Sequence, residues 1–89
     1  MRNRRARGFR ETYARLPQSV RMQALNAYGL FSNDPFHPGL QFKQIDPRDG
    51  VWSVRIGSHH RALAWRRGEE LVWFWIGTHA EYDQLLRRR

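Results

Sequence analysis

Four residues in the second half of the chain are of types that hold anions and move protons: Arg55, Arg61, His79 and Tyr82. Arg55 lies in "VWSVRIG", whose alternation puts Trp52, Val54 and Ile56 on one strand face and Val51, Ser53 and Arg55 on the other. Arg61 opens the next apolar run, "HRALAWR". If the two runs close into a hairpin through Gly57 to His60, the arginines come together. A guanidinium grips an oxyanion with two parallel hydrogen bonds, so such a pair would flank an anionic group. From Val51 through Gly68 there is no Asp or Glu, and the same span carries His59, His60, Arg66 and Arg67. His79 and Tyr82 stand at i and i+3, on one face of a helix. An imidazole can serve as acid or base near neutral pH; a phenol does so only where nearby cations favour its phenolate. The spacing fits plainer roles as well. These are solvated arginines on a strand rim, a histidine bonding the backbone at a helix start, and a packed tyrosine ring.

Other chemistries find less support. Four histidines without a cysteine form no zinc-ligand spacing. No serine sits in a nucleophile elbow. No glycine-rich loop is built to cradle phosphates, and the strands lack paired carboxylates. No metal or other cofactor is expected.

The elements that must position these residues read as follows. Residues 1–8 are an Arg-rich arm that either frays or adds a short edge strand. Phe9, Tyr13, Leu16 and Val20 recur at helical spacing. Pro17 suits the first turn of a new helix, so helices are expected over 8–15 and 17–32. Val20, Ala24, Ala27, Tyr28 and Phe31 form the expected buried stripe of the second. "SNDP" stops it. Strands are expected over 41–45, 51–57, 60–66 and 71–77, with Asp49-Gly50 as a hairpin signal. "LVWFWIG" is apolar on both faces, as a central strand would be. A short helix, "HAEYDQLL", follows; Thr78 is its expected N-cap, Glu81 stands in capping-box position, and Leu85 and Leu86 tuck onto the core. The fold class is α+β: two helices on one face of a four-stranded antiparallel meander, then a terminal helix. The other face is expected to be free. All 89 residues form one domain.

The balance of charge is the strongest bulk signal. The net charge is +8, and of 16 basic residues only Lys43 is lysine. Such a chain suits an anionic partner, nucleic acid or an acidic protein. A soluble protein that is merely rich in arginine fits the same numbers. The 40% hydrophobic content, with four Trp and five Phe, is too high for disorder. Absence of cysteine excludes disulfides and suits a reducing cytoplasm. No apolar run approaches the roughly 20 residues that span a membrane, and the basic start lacks the apolar segment of a secretory signal.

Four stretches, "FRETYARLPQSVRMQALNAYGLF", "DPFHPGLQFKQI", "VWSVRIGSHHRALAW" and "VWFWIGTHAEYDQLL", together resemble the RelE/ParE superfamily of bacterial type II toxins. The "LP" between two helices, the "HPGL" entry to the sheet, the arginine hairpin and the closing "GTHAEYD" come in the family's order. The resemblance covers Phe9 to Leu86. It implies a fold like that of small microbial ribonucleases, a cytoplasmic location and a cognate antitoxin. It further implies one of two activities. RelE-like members cut mRNA in the ribosomal A site without metal; ParE-like members poison DNA gyrase. The first is favoured here, because Arg55, Arg61, His79 and Tyr82 match the RNase-type set. Lys43, His60, Arg66 and Arg67 are the expected RNA contacts, on mRNA held by the ribosome and its RNA. A gyrase poison, or a catalytically inactive basic binding module, is the alternative. The sequence departs from the pattern at Ser53, where some active members carry a second basic residue. It departs again at the start, where the expected strand is reduced to the arginine arm.

Overall fold

The computed structural model describes residues 1–88; Arg89, the last of the closing arginines, lies outside the described residues. The elements run β1 (Arg2–Arg5), α1 (Arg7–Ala14), α2 (Gln18–Asn33), a 3-10 turn (Pro38–Leu40), β2 (Lys43–Asp46), β3 (Val51–Ile56), β4 (His60–Arg67), β5 (Glu70–Thr78) and α3 (His79–Arg87). The sheet has five strands in the order β1-β5-β4-β3-β2. Strands β2 to β5 form the antiparallel meander expected from the sequence.

The arginine arm is the fifth strand. β1 pairs parallel to β5, with Arg2 opposite Glu70 and Arg5 opposite Trp73. Four polar residues give no alternation to read. What fixes them is the edge of β5, whose backbone groups need partners in a buried sheet, and a hydrogen bond from Trp73 Nε1 to Asn3 Oδ1 at 2.9 Å. β5 is thereby central, flanked on both sides, as its two apolar faces require.

The helices divide between the two faces. α1 and α2 cover one, enclosing Ala24, Phe31, Val54, Ile56, Ala62, Ala64, Leu71, Trp73 and Ile76. α1 lies close against β5: a Cβ at Gly8 would sit 2.8 Å from the Phe74 carbonyl oxygen, so glycine permits the approach. α2 begins after Pro17, its N-cap, and buries Val20, Ala24 and Phe31. Tyr28, expected in that stripe, is 51% exposed on the outer side. Contrary to the expectation of a free second face, α3 packs there. Tyr82, Leu85 and Leu86 close a second apolar cluster with Val51, Leu63, Ile45, Phe74 and Trp75. A two-residue apolar ending on a helix buries only when it meets a sheet face, and β4–β5 supplies one.

Candidate active site

The site is built where β3, β4 and α3 meet. The β3–β4 register places Arg55 directly opposite Arg61, and Ser53 opposite Leu63. Directly paired residues on adjacent strands project to the same face, so Ser53, Arg55 and Arg61 share the face that α3 covers. The hairpin turns at Gly57, which has φ of +59°; only glycine takes this left-handed conformation without strain. Lys43 on β2 lies opposite Ser53 and is exposed on that same face.

Arg61 is 4% exposed. Its Nε donates to Ser53 Oγ at 2.8 Å. Nη1 donates to Gln41 Oε1 at 3.3 Å and Nη2 to the Gln41 carbonyl at 3.4 Å. These acceptors are neutral. Buried guanidinium groups are usually paired with carboxylates; this one has hydroxyl and amide partners and a second arginine across the hairpin. Burial pushes the Arg61 guanidinium below its usual range, and the charge of Arg55 adds to that, while the Tyr82 hydroxyl and the charge of Asp83 oppose it. Gln41, which holds two of the donors, has φ of +47°. That conformation costs a non-glycine residue roughly 1–2 kcal/mol, and the two hydrogen bonds from Arg61 hold it there.

α3 brings His79 and Tyr82 to the site. Thr78 Oγ1 accepts from the Glu81 backbone N–H at 3.1 Å, and Glu81 Oε1 accepts from the Thr78 backbone N–H at 2.9 Å, a complete capping box. Hydrogen bonds from the Thr78 backbone and hydroxyl hold the Glu81 carboxyl below the usual carboxylate range. This cap fixes the first turn of α3, and with it His79 and Tyr82. The Tyr82 ring lies under the Arg61 guanidinium, 5.2 Å from its carbon to the ring centre, and is 5% exposed. The His79 ring meets Tyr82 edge-on, with centroids 5.6 Å apart. His79 Nδ1 lies 3.2 Å from Asp83 Oδ2, and both side chains stay about half exposed.

Arg55, Arg61, His79 and Tyr82 are therefore neighbours, in two layers. Arg61 and Tyr82 form a buried floor; Arg55 and His79 reach the surface, Arg55 through a hydrogen bond from Nε to the Gly57 carbonyl at 2.8 Å. The outer basic residues are spread wider. His60 lies opposite Thr78 and Ile56, at the rim, and alternation turns it away from the Arg61 face. Burial, with a smaller contribution from His59, lowers its pKa. Arg66 stacks on Trp52, 4.7 Å from its ring, on the helix-covered side. Arg67 is exposed at the far end of β4, about 20 Å along the strand from Arg61 at some 3.3 Å per residue. Neither Arg66 nor Arg67 joins the cluster.

Two residues of the site, Asp83 and Gln41, lay outside the sequence reading. Asp83 is four residues after His79, a spacing that signals a helical pair. Ser53, where the family pattern has a second basic residue in some members, is fully buried under Arg61, where a second cation would meet the first. Gln41 carried no signal, since nothing in "GLQFK" announces a left-handed glutamine. Among the described residues no group of three or more His, Cys, Asp or Glu side chains is arranged to hold a metal ion.

Comparison with known proteins decides the family. The model of the ParE-like toxin domain matches residues 18–84. The chain belongs to the ParE-like toxin family. Its fold is that of solved toxins. A YoeB/ParE toxin from Agrobacterium tumefaciens superposes with a TM-score of 0.67 at 18% identity, over 89% of this chain and 99% of that one. A copper-bound mutant toxin from Helicobacter pylori superposes with a TM-score of 0.62 at 15% identity, over 91% and 97%. Identities this low show a shared fold. No curated protein matches the chain. The matched ParE-like region includes β3, β4 and the start of α3, and so the whole arginine, histidine and tyrosine cluster. No helix among the described residues is long and apolar enough to cross a membrane.

Proposed function

We propose that this ParE-like toxin is an mRNA endoribonuclease that works on the ribosome, needs no metal, and is held inactive in the cytoplasm by a cognate antitoxin. One observation carries the reading: Arg61 is a buried cation with neutral hydrogen-bond partners, and Arg55 lies across from it. Two guanidinium groups without a bonded carboxylate form a site of strong positive potential. A phosphodiester is the anion that suits it.

In the proposed reaction the RNA 2′-hydroxyl attacks the adjacent phosphorus. The O2′–P bond forms, the P–O5′ bond breaks, and a 2′,3′-cyclic phosphate remains. Arg55 holds the non-bridging oxygens, with Lys43 on the approach. Arg61 contributes its charge from beneath, where low polarity strengthens it. His79, the exposed proton carrier, takes the 2′-hydroxyl proton on Nε2 and returns it to the departing O5′, with Asp83 orienting its ring through Nδ1. Tyr82 supports His79 from below.

Burial of Arg61 and Tyr82 favours a second reading. If the pair serves only to seat α3, the protein acts by contact, as a gyrase poison does. A reconstituted translation reaction separates the two. The endoribonuclease reading expects cleavage of the message only when ribosomes are present, and its loss with His79→Ala. Intact message together with inhibition of gyrase supercoiling would overturn it.

A further inference from the structure

The face that carries the site continues beyond it to a second, different surface. Trp65 follows Arg61 by four residues on β4, so alternation puts both on the same face, about 13 Å apart along the strand. The Trp65 ring stacks on Phe74, with centroids 4.1 Å apart and planes 21° from parallel. A tryptophan in a sheet normally buries its ring; this one is 42% exposed. Three arginines border it on the same face. Arg67 is two residues on along β4. Arg4 lies opposite Val72, which is itself opposite Trp65, and Arg2 lies opposite Glu70. Arg4 is 3.8 Å from Glu70, but its side chain remains 71% exposed. Asp46, at the β2 edge of this face, is held by Arg48.

We propose that the Trp65–Phe74 stack is a platform for one base of a single-stranded RNA whose backbone passes beside α3, along the β2 edge where Lys43 is exposed, to the Arg55–Arg61 site. The proposal rests on the endoribonuclease reading and adds to it a binding subsite away from the cleaved bond. An exposed aromatic plane takes any base on its open side, while bordering guanidinium groups follow the phosphates. On this face Arg2, Arg4 and Arg67 outnumber Glu70 and Asp46, a balance that suits an RNA strand better than a second copy of this basic chain. The platform tolerates any sequence, so its part is to anchor the strand.

The test is binding of a fluorescein-labelled 2′-O-methyl uridine octamer, which resists cleavage, beside an abasic octamer with the same number of phosphates. Trp65→Ala should weaken binding of the uridine octamer by about 5- to 100-fold and change binding of the abasic chain little. Trp65→Phe should keep most of the affinity. Equal losses on both oligomers, or no loss, would overturn the proposal. So would a Trp65→Ala effect confined to self-association in sedimentation, which would make the stack a protein contact. Should Trp65→Ala fail to fold, photocrosslinking of a 5-iodouridine octamer to the wild-type chain decides: crosslinks at Trp65 or Phe74 support the platform, and crosslinks confined elsewhere overturn it. Trp65-dependent binding without message cleavage would leave the platform standing and remove the endoribonuclease reading. Cleavage with Trp65-independent binding would do the reverse.

Discussion

The guanidinium of Arg61 lies over the ring of Tyr82 at 5.2 Å, with both side chains buried between the sheet and α3. One contact thus joins the arginine hairpin to the helix that carries His79. It ties the chemistry of the site to the seating of α3, and the two have to be separated by choice of variant.

Arg61→Ala strands Ser53 Oγ and the two Gln41 acceptors and removes the cation over Tyr82. Losing a buried, multiply bonded cation should cost about 2–4 kcal/mol of stability. Urea unfolding of the purified chain measures it. A change below about 0.5 kcal/mol would mean that Arg61 is not part of the packing. Arg61→Lys keeps the charge but not the fork, and is expected to fall between the two.

His79→Ala should behave in the opposite way. Its ring is half exposed and its Asp83 partner lies on the surface, and such pairs contribute little to stability. Unfolding should therefore shift by less than about 0.5 kcal/mol, while message cleavage falls by roughly 10²- to 10⁴-fold. Cleavage rate and urea midpoint measured on the same preparation give both numbers.

The cap of α3 sets an acid limit. The folded-state pKa of Glu81 is depressed by its hydrogen bonds from Thr78. Its contribution is therefore complete above the ordinary carboxylate value, roughly 4.3, and is lost as pH falls from there through the lower folded value. Glu81→Leu should remove that part of the pH dependence, and Thr78→Ala should cost about 1 kcal/mol at neutral pH. Circular dichroism melts between pH 3 and pH 7 check both.

His60 acts in a higher window. Burial keeps its folded-state pKa below the ordinary value of about 6.5, so the unfolded chain binds the proton first. Stability should rise with pH from the folded value up to about 6.5 and be level above it. His60→Gln should flatten that slope in the same melts.

Much of this arrangement was legible in the sequence because it rests on local patterns. Alternation in "VWSVRIG" and the turn at Gly57 brought Arg55 beside Arg61, and Thr78 and Glu81 announced the start of α3. Long-range geometry was not legible. The arginine arm became a strand only because β5 offered an edge. Tyr28 turned outward because α2 meets the sheet over Val20, Ala24 and Phe31, a narrower stripe than the periodicity suggested. The burial of Arg61 depends on Gln41, 20 residues away, and no local pattern encodes such a contact. Lys43 was legible as an isolated cation, but its place opposite Ser53 depends on the pairing of β2 with β3.

Mapping of mRNA 5′ ends in cells, minutes after the chain is induced without an antitoxin, tests whether the site cleaves messages. Fresh ends inside translated codons are expected for the wild type, and none for the His79→Ala variant at equal protein level. Growth arrest with intact messages, unchanged by His79→Ala, would contradict the endoribonuclease reading.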